Sequence, residues 1–179
     1  MLYYYSELLK SGLKRYEIEK KVKLKELYKI TNGIYSNEER PHELEIIFKK
    51  IPNAVLTLNS AFFYYDLTDK IPEFYYVATR RDENKIDFRE VKQVFMKKEY
   101  LNTGITSTIV DNINVPIYDK ERMLIELIRY KTKLSYELYK EVVNNYRKIK
   151  NELDFIKVQR YLKIFDKPFI LQAIEKEII

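Results

Sequence analysis

The chain has 179 residues, with 33 lysines and arginines against 27 aspartates and glutamates, one histidine and no cysteine. Disulfides, thiolate metal sites and a cysteine nucleophile are thereby excluded, and His42 alone cannot build a histidine metal centre. The three scattered glycines (Gly12, Gly33, Gly104) cannot write a phosphate-binding or dinucleotide loop.

The distribution of charge says more than its total. Residues 10–29 hold eight lysines and arginines against Glu17, Glu19 and Glu26, which is five of the net six positive charges; the other 159 residues are nearly neutral. Met1 to Glu7 lack a basic segment and a long apolar run, so no signal peptide is expected. The longest uncharged stretch, Ile51 to Tyr65, is too short to span a bilayer. A soluble cytoplasmic protein with no membrane partner is expected.

Taken in chain order, Ser6–Lys10 reads as a short helix stopped by Ser11-Gly12. Lys14–Leu24 reads as a second helix that buries Ile18 and Val22 and turns Tyr16, Lys20 and Lys23 outward. Leu27–Ile30 and Ile34-Tyr35 flank a Thr31-Asn32-Gly33 turn, which predicts a hairpin. The polar run Ser36–Pro41 marks a boundary, after which His42 opens a helix over Glu43–Ile51. Ala54–Tyr65 is expected to be one apolar helix capped by Asn53, and Asp66–Pro72 a loop. Phe74–Thr79 and Val91–Met96 predict strands, and Ile105–Val110 with Asn114–Tyr118 predicts a hairpin. Four amphipathic helices follow, over Glu121–Arg129, Tyr136–Ile149, Asp154–Phe165 and Pro168–Ile178.

Helix, tight turn, basic helix and hairpin, in that order, are the latter part of a winged helix-turn-helix. A recognition helix presents its first turn and outer face to base edges in the major groove. On that reading double-stranded DNA is the partner. Lys14, Arg15, Tyr16, Lys20 and Lys23 lie on the reading helix, and Lys29 and Asn32 sit at the wing. Lysines on phosphates would set position, while Arg15 suits a bidentate contact to guanine. The same residues also fit a plain amphipathic helix with a solvated lysine face.

The segments Gly12–Tyr16 and Leu27–Tyr35 resemble the wing-bearing N-terminal domain of the AbiEi family of antitoxins. Pro52–Ala61 with Leu67–Asp69 and Ile71-Pro72, then Val77–Arg81, then Ile113–Arg122, resemble that family's later motifs in the expected order. The resemblance implies an α+β chain. Residues 1–38 would form a winged helix-turn-helix DNA-binding domain whose first helix is missing. Residues 42–179 would form a mixed α/β antitoxin domain with C-terminal helices.

It also implies an antitoxin of a type IV abortive-infection system. Such a protein represses its own operon and counteracts a nucleotidyltransferase-like toxin. Asn53, Ser60, Asp66, Thr68, Asp69, Arg80 and Arg122 are the candidate motif residues of the second domain. Met123 and Glu126 stand where the family usually carries threonine and aspartate, and Tyr65 where relatives often carry histidine.

No catalytic residue, metal or cofactor is expected. The competing enzyme reading rests on Asp87 and on Glu90-x-Lys92, which could hold Mg²⁺ in a nuclease-like site. The sequence is also compatible with a solitary DNA-binding regulator, or with an interaction domain that uses its C-terminal helices. Asp66, Asp69, Arg80 and Arg122 are also expected to meet in one polar cluster between helix and sheet.

Overall fold

The computed structural model describes residues 1–83, 85–86 and 88–179. It is mixed α+β and divides into two compact units, Met1–Asn53 and Ala54–Ile179.

The first unit opens with β1 (Leu2–Tyr4), followed by α1 (Tyr5–Lys10) and α2 (Arg15–Lys23). The hairpin is β2 (Tyr28–Thr31) and β3 (Ile34–Ser36), closed at Asn32-Gly33 with Gly33 at a φ of +77°. β1 lies antiparallel on β3, pairing Leu2 with Ser36 and Tyr4 with Ile34, so the sheet order is β1-β3-β2. Sequence pattern did not reveal β1. Three residues carry no usable period, and the partner strand is remote in the chain.

α3 (Glu43–Lys50) belongs to this first unit, although the expected boundary put it with the larger domain. His42 caps it, its Nδ1 accepting from the Leu44 N–H at 3.2 Å. The Tyr4 hydroxyl donates to the Lys49 carbonyl, and Lys49 Nζ lies 2.7 Å from Glu7 and 4.3 Å from the Tyr4 ring centre. These bonds tie α3 to the start of α1.

The second unit is built on a mixed sheet in the order β6-β5-β4-β8-β7. β4 is Val55–Leu56, β5 Tyr75–Arg80, β6 Val91–Met96, β7 Ile105–Val110 and β8 Ile113–Tyr118. β5 runs parallel to β6 and β4 parallel to β8; β4–β5 and β7–β8 are antiparallel. α4 (Leu58–Tyr64) follows β4, and the short α5 (Lys98–Leu101) follows β6. After β8 come α6 (Lys120–Arg129), α7 (Tyr136–Lys148), α8 (Phe155–Phe165) and α9 (Phe169–Glu177). α6 is the hub. Residues 121–128 are all buried, and α4, α7, α8 and α9 each pack on it.

One expected element is corrected. Ala54–Tyr65 is not a single helix capped by Asn53: its start is strand β4, and Thr57 holds the position before α4. Val55 faces Ala78, and Leu56 faces Val77 on one side and Ile117 on the other. A strand hydrogen-bonded on both edges and covered on both faces reads as a continuous apolar run, which periodicity cannot tell from a buried helix. The chain changes direction at Leu58, whose φ is +44°.

Candidate nucleic-acid interface

The basic helix is set by what it buries. Ser11 Oγ donates to the Leu8 carbonyl at 2.7 Å, and Gly12 at φ +95° ends α1, a conformation open to glycine at little cost. The chain re-enters helix at Lys14, whose N–H donates to Glu17 Oε2 at 2.7 Å and so satisfies one donor of the new helix end. Ile18, 1% exposed, drops into a core with Leu8 and Leu27, ringed by Tyr3, Tyr5, Leu13, Val22 and Tyr35. With Ile18 inward, Tyr16, Lys20 and Lys23 point to solvent, and Tyr16 is 63% exposed.

All seven residues nominated from the sequence are exposed: Lys14, Arg15, Tyr16, Lys20, Lys23, Lys29 and Asn32. They are not all on one surface. Arg15, Glu19 and Lys23 of α2 face Lys29, Gly33 and Tyr35 of the hairpin across a groove of about 610 Å³. Lys14 stands at the N-terminal end of α2 and Asn32 at the hairpin tip. Tyr16 and Lys20 sit on the adjoining outer face of α2, outside that groove lining.

Glu19 is the charged groove residue that the sequence does not nominate. Its Oε1 accepts from Arg15 Nε at 3.0 Å, one helical turn back. That hydrogen bond, with Glu19's charge, raises the Arg15 pKa and keeps the guanidinium charged. Both side chains are more than half exposed, so the pair holds Arg15 weakly and can exchange for another acceptor. The signal was present in the sequence as an i, i+4 spacing of opposite charges.

The motif residues of the second unit do not converge. Ser60 is buried; its Oγ donates to the Phe74 carbonyl at 3.4 Å and accepts from the Tyr76 N–H at 2.8 Å, which fastens α4 to β5. Thr68 Oγ1 donates to Glu141 Oε2 at 2.8 Å, and the Asp69 N–H donates to Glu141 Oε1 at 3.0 Å. Asn145 donates to the Leu67 carbonyl at 3.0 Å, so α7 clamps this loop. Asn53, Asp66 and Asp69 are exposed, and Arg80 pairs with Asp82 on the surface. The expected cluster of Asp66, Asp69, Arg80 and Arg122 therefore does not form. Arg122 is enclosed elsewhere and pairs with Glu126, a partner two exposed loop aspartates could not replace.

Of the enzyme candidates, Asp87 lies outside the described residues. The Glu90 carbonyl accepts from the Tyr75 N–H at 2.8 Å, and Lys92 Nζ lies 5.3 Å from the Tyr76 ring centre and 5.9 Å from that of Phe74. Among the described residues no group of three or more histidines, cysteines or carboxylates is placed to hold a metal ion.

No protein-family model and no curated protein matches the chain. Among the described residues, no helix is long and apolar enough to cross a membrane.

Proposed function

We propose that residues 2–36 form a winged helix-turn-helix that binds double-stranded DNA, and that the protein is the autorepressing antitoxin of a type IV toxin–antitoxin pair. The observation that carries the DNA-binding part is the order strand, helix, helix, hairpin, with the first strand laid on the hairpin and α2 turning its cations outward. In such a unit α2 enters the major groove and the hairpin follows the neighbouring backbone. Lys20, Lys23 and Lys29 bind phosphates, Arg15 leaves Glu19 for a base edge, and Tyr16 packs at the groove wall. The antitoxin part rests on the ordered resemblance to the AbiEi motifs.

The larger unit then acts on a nucleotidyltransferase-like toxin in the cytoplasm, with no chemistry of its own. Two experiments test the reading. A duplex spanning the region upstream of its own gene is expected to bind the full chain more tightly than an unrelated duplex of equal length. Co-expression is expected to relieve the toxicity of an adjacent nucleotidyltransferase-like gene. Equal binding to both duplexes refutes the repressor assignment. Operator binding without relief of toxicity refutes the antitoxin assignment and leaves a solitary regulator.

A further inference from the structure

Two guanidinium groups and one carboxylate share the interior of the second unit. Arg122 and Glu126 are completely enclosed and Arg129 is 13% exposed; both arginines donate from Nη1 to the same oxygen, Glu126 Oε1. The other hydrogen-bond partners of the Arg122 guanidinium are neutral. Its Nε donates to the Thr103 carbonyl at 3.2 Å and its Nη2 to the Tyr100 carbonyl at 3.2 Å, and Tyr118 and Phe165 present ring faces at 4.7 and 4.3 Å. Asp119 and Glu121, at the start of the same helix, share Lys157, which leaves one negative charge beside Arg122. Together with that neighbouring negative charge the interior is balanced, and Arg129 Nε and Glu126 Oε2 are buried atoms with no hydrogen-bond partner. Burial pushes the pKa of both guanidiniums down.

A cavity of about 580 Å³ opens on Arg129, and its other charged walls are Arg81, Lys97 and Glu83. Arg80 of β5 and Met96 of β6 are the last pair of the parallel ladder, and the next residues on the two strands are Arg81 and Lys97. The Arg81 N–H donates to the Met96 carbonyl at 2.7 Å, which places Arg81 and Lys97 at the carboxyl ends of the two strands. Among the described residues Glu83 is the one carboxylate in the lining, and Phe95 and Tyr100 supply aromatic surface.

We propose that this cavity binds a phosphate group, either as the free ion or carried by a nucleoside monophosphate. Two guanidiniums and an ammonium, from the ends of two strands and from α6, line it against one described carboxylate, which favours an anion that takes charge-assisted hydrogen bonds. The space far exceeds one phosphate and suits a small ligand whose planar base lies on the exposed Phe95, the Tyr100 ring being already packed by Phe165 and Arg129.

The test is thermal melting and calorimetry of the full chain with sodium phosphate, adenosine 5′-monophosphate, adenosine, and sodium chloride at matched ionic strength. Phosphate and the nucleotide are expected to raise the melting temperature, and adenosine and chloride to leave it unchanged. The exposed pair R81A/K97A, which leaves the buried cluster intact, is expected to weaken binding at least about tenfold, since charge-assisted hydrogen bonds are the strong ones. Nucleotide binding tighter than phosphate assigns Phe95 to a base; equal affinities assign the free ion. No response to either ligand, or affinity undiminished in R81A/K97A, overturns the proposal.

Discussion

Arg122 and Glu126 form an ion pair one helical turn apart on α6 with neither side chain reaching solvent. Arg129 reaches the same carboxylate from the next turn. Removing Glu126 strands two cations in the interior. The variant E126A is expected to lose about 3–5 kcal/mol of stability in denaturant unfolding. A loss no larger than that of a surface change such as E137A would contradict this account of the cluster.

Gly104 is the backbone partner of that arrangement. Its φ is +76°, and a Cβ there would lie 2.6 Å from Arg122 Cβ, an atom that cannot swing away. Gly12 has a φ of +95° and open space around it. Both G12A and G104A pay for the left-handed backbone, about 1–2 kcal/mol. G104A also displaces α6 and is expected to destabilise clearly more, each variant being read from the unfolding free energy of the unit that holds it. Equal effects would show that the close approach at Arg122 relaxes without cost.

Tyrosines set the alkaline limit. Burial raises Tyr65 and Tyr161 from the ordinary value of 10 to about 12; the Asp119 charge adds to the first, and the hydroxyl bond to Asp119 Oδ2 at 2.8 Å adds to the second. A group whose folded pKa lies above its unfolded value stabilises fully below the unfolded value and loses that contribution as pH rises through the folded one. Stability is therefore expected to hold to about pH 10 and to fall between 10 and 12. Y161F is expected to fall less steeply over that window in midpoint measurements. A wild-type stability that is flat to pH 12 would contradict the prediction.

What the sequence revealed was local. α1, α2 and the hairpin are marked by a glycine stop, a period near 3.6 about Ile18, and Asn32-Gly33 between short apolar runs, and each of these signals acts within a few residues. The four C-terminal helices were legible for the same reason, their apolar stripes being long. Strands β1 and β4 were not, because β1 is defined by pairing with Ser36 and Ile34 and β4 by neighbours at residues 77–78 and 117.

The candidate site divides in the same way. Lysine exposure on α2 followed from the period. Which of those lysines share a groove with Lys29 depended on how the hairpin packs across Ile18. Arg122 was singled out by motif and Glu126 was noticed only as a departure. Their i, i+4 spacing is common on exposed helix faces, and only the helices packed around α6 make it a buried pair.

On the proposed reading, α2 and the hairpin hold a DNA backbone through their lysines. The salt dependence of operator binding in wild type and in K20A/K23A/K29A, measured by fluorescence anisotropy, decides it. Each phosphate contact contributes about −0.9 to the slope of log K against log salt, so the triple variant is expected to bind more weakly with a slope flatter by about 2 to 3. An unchanged affinity and slope would contradict it.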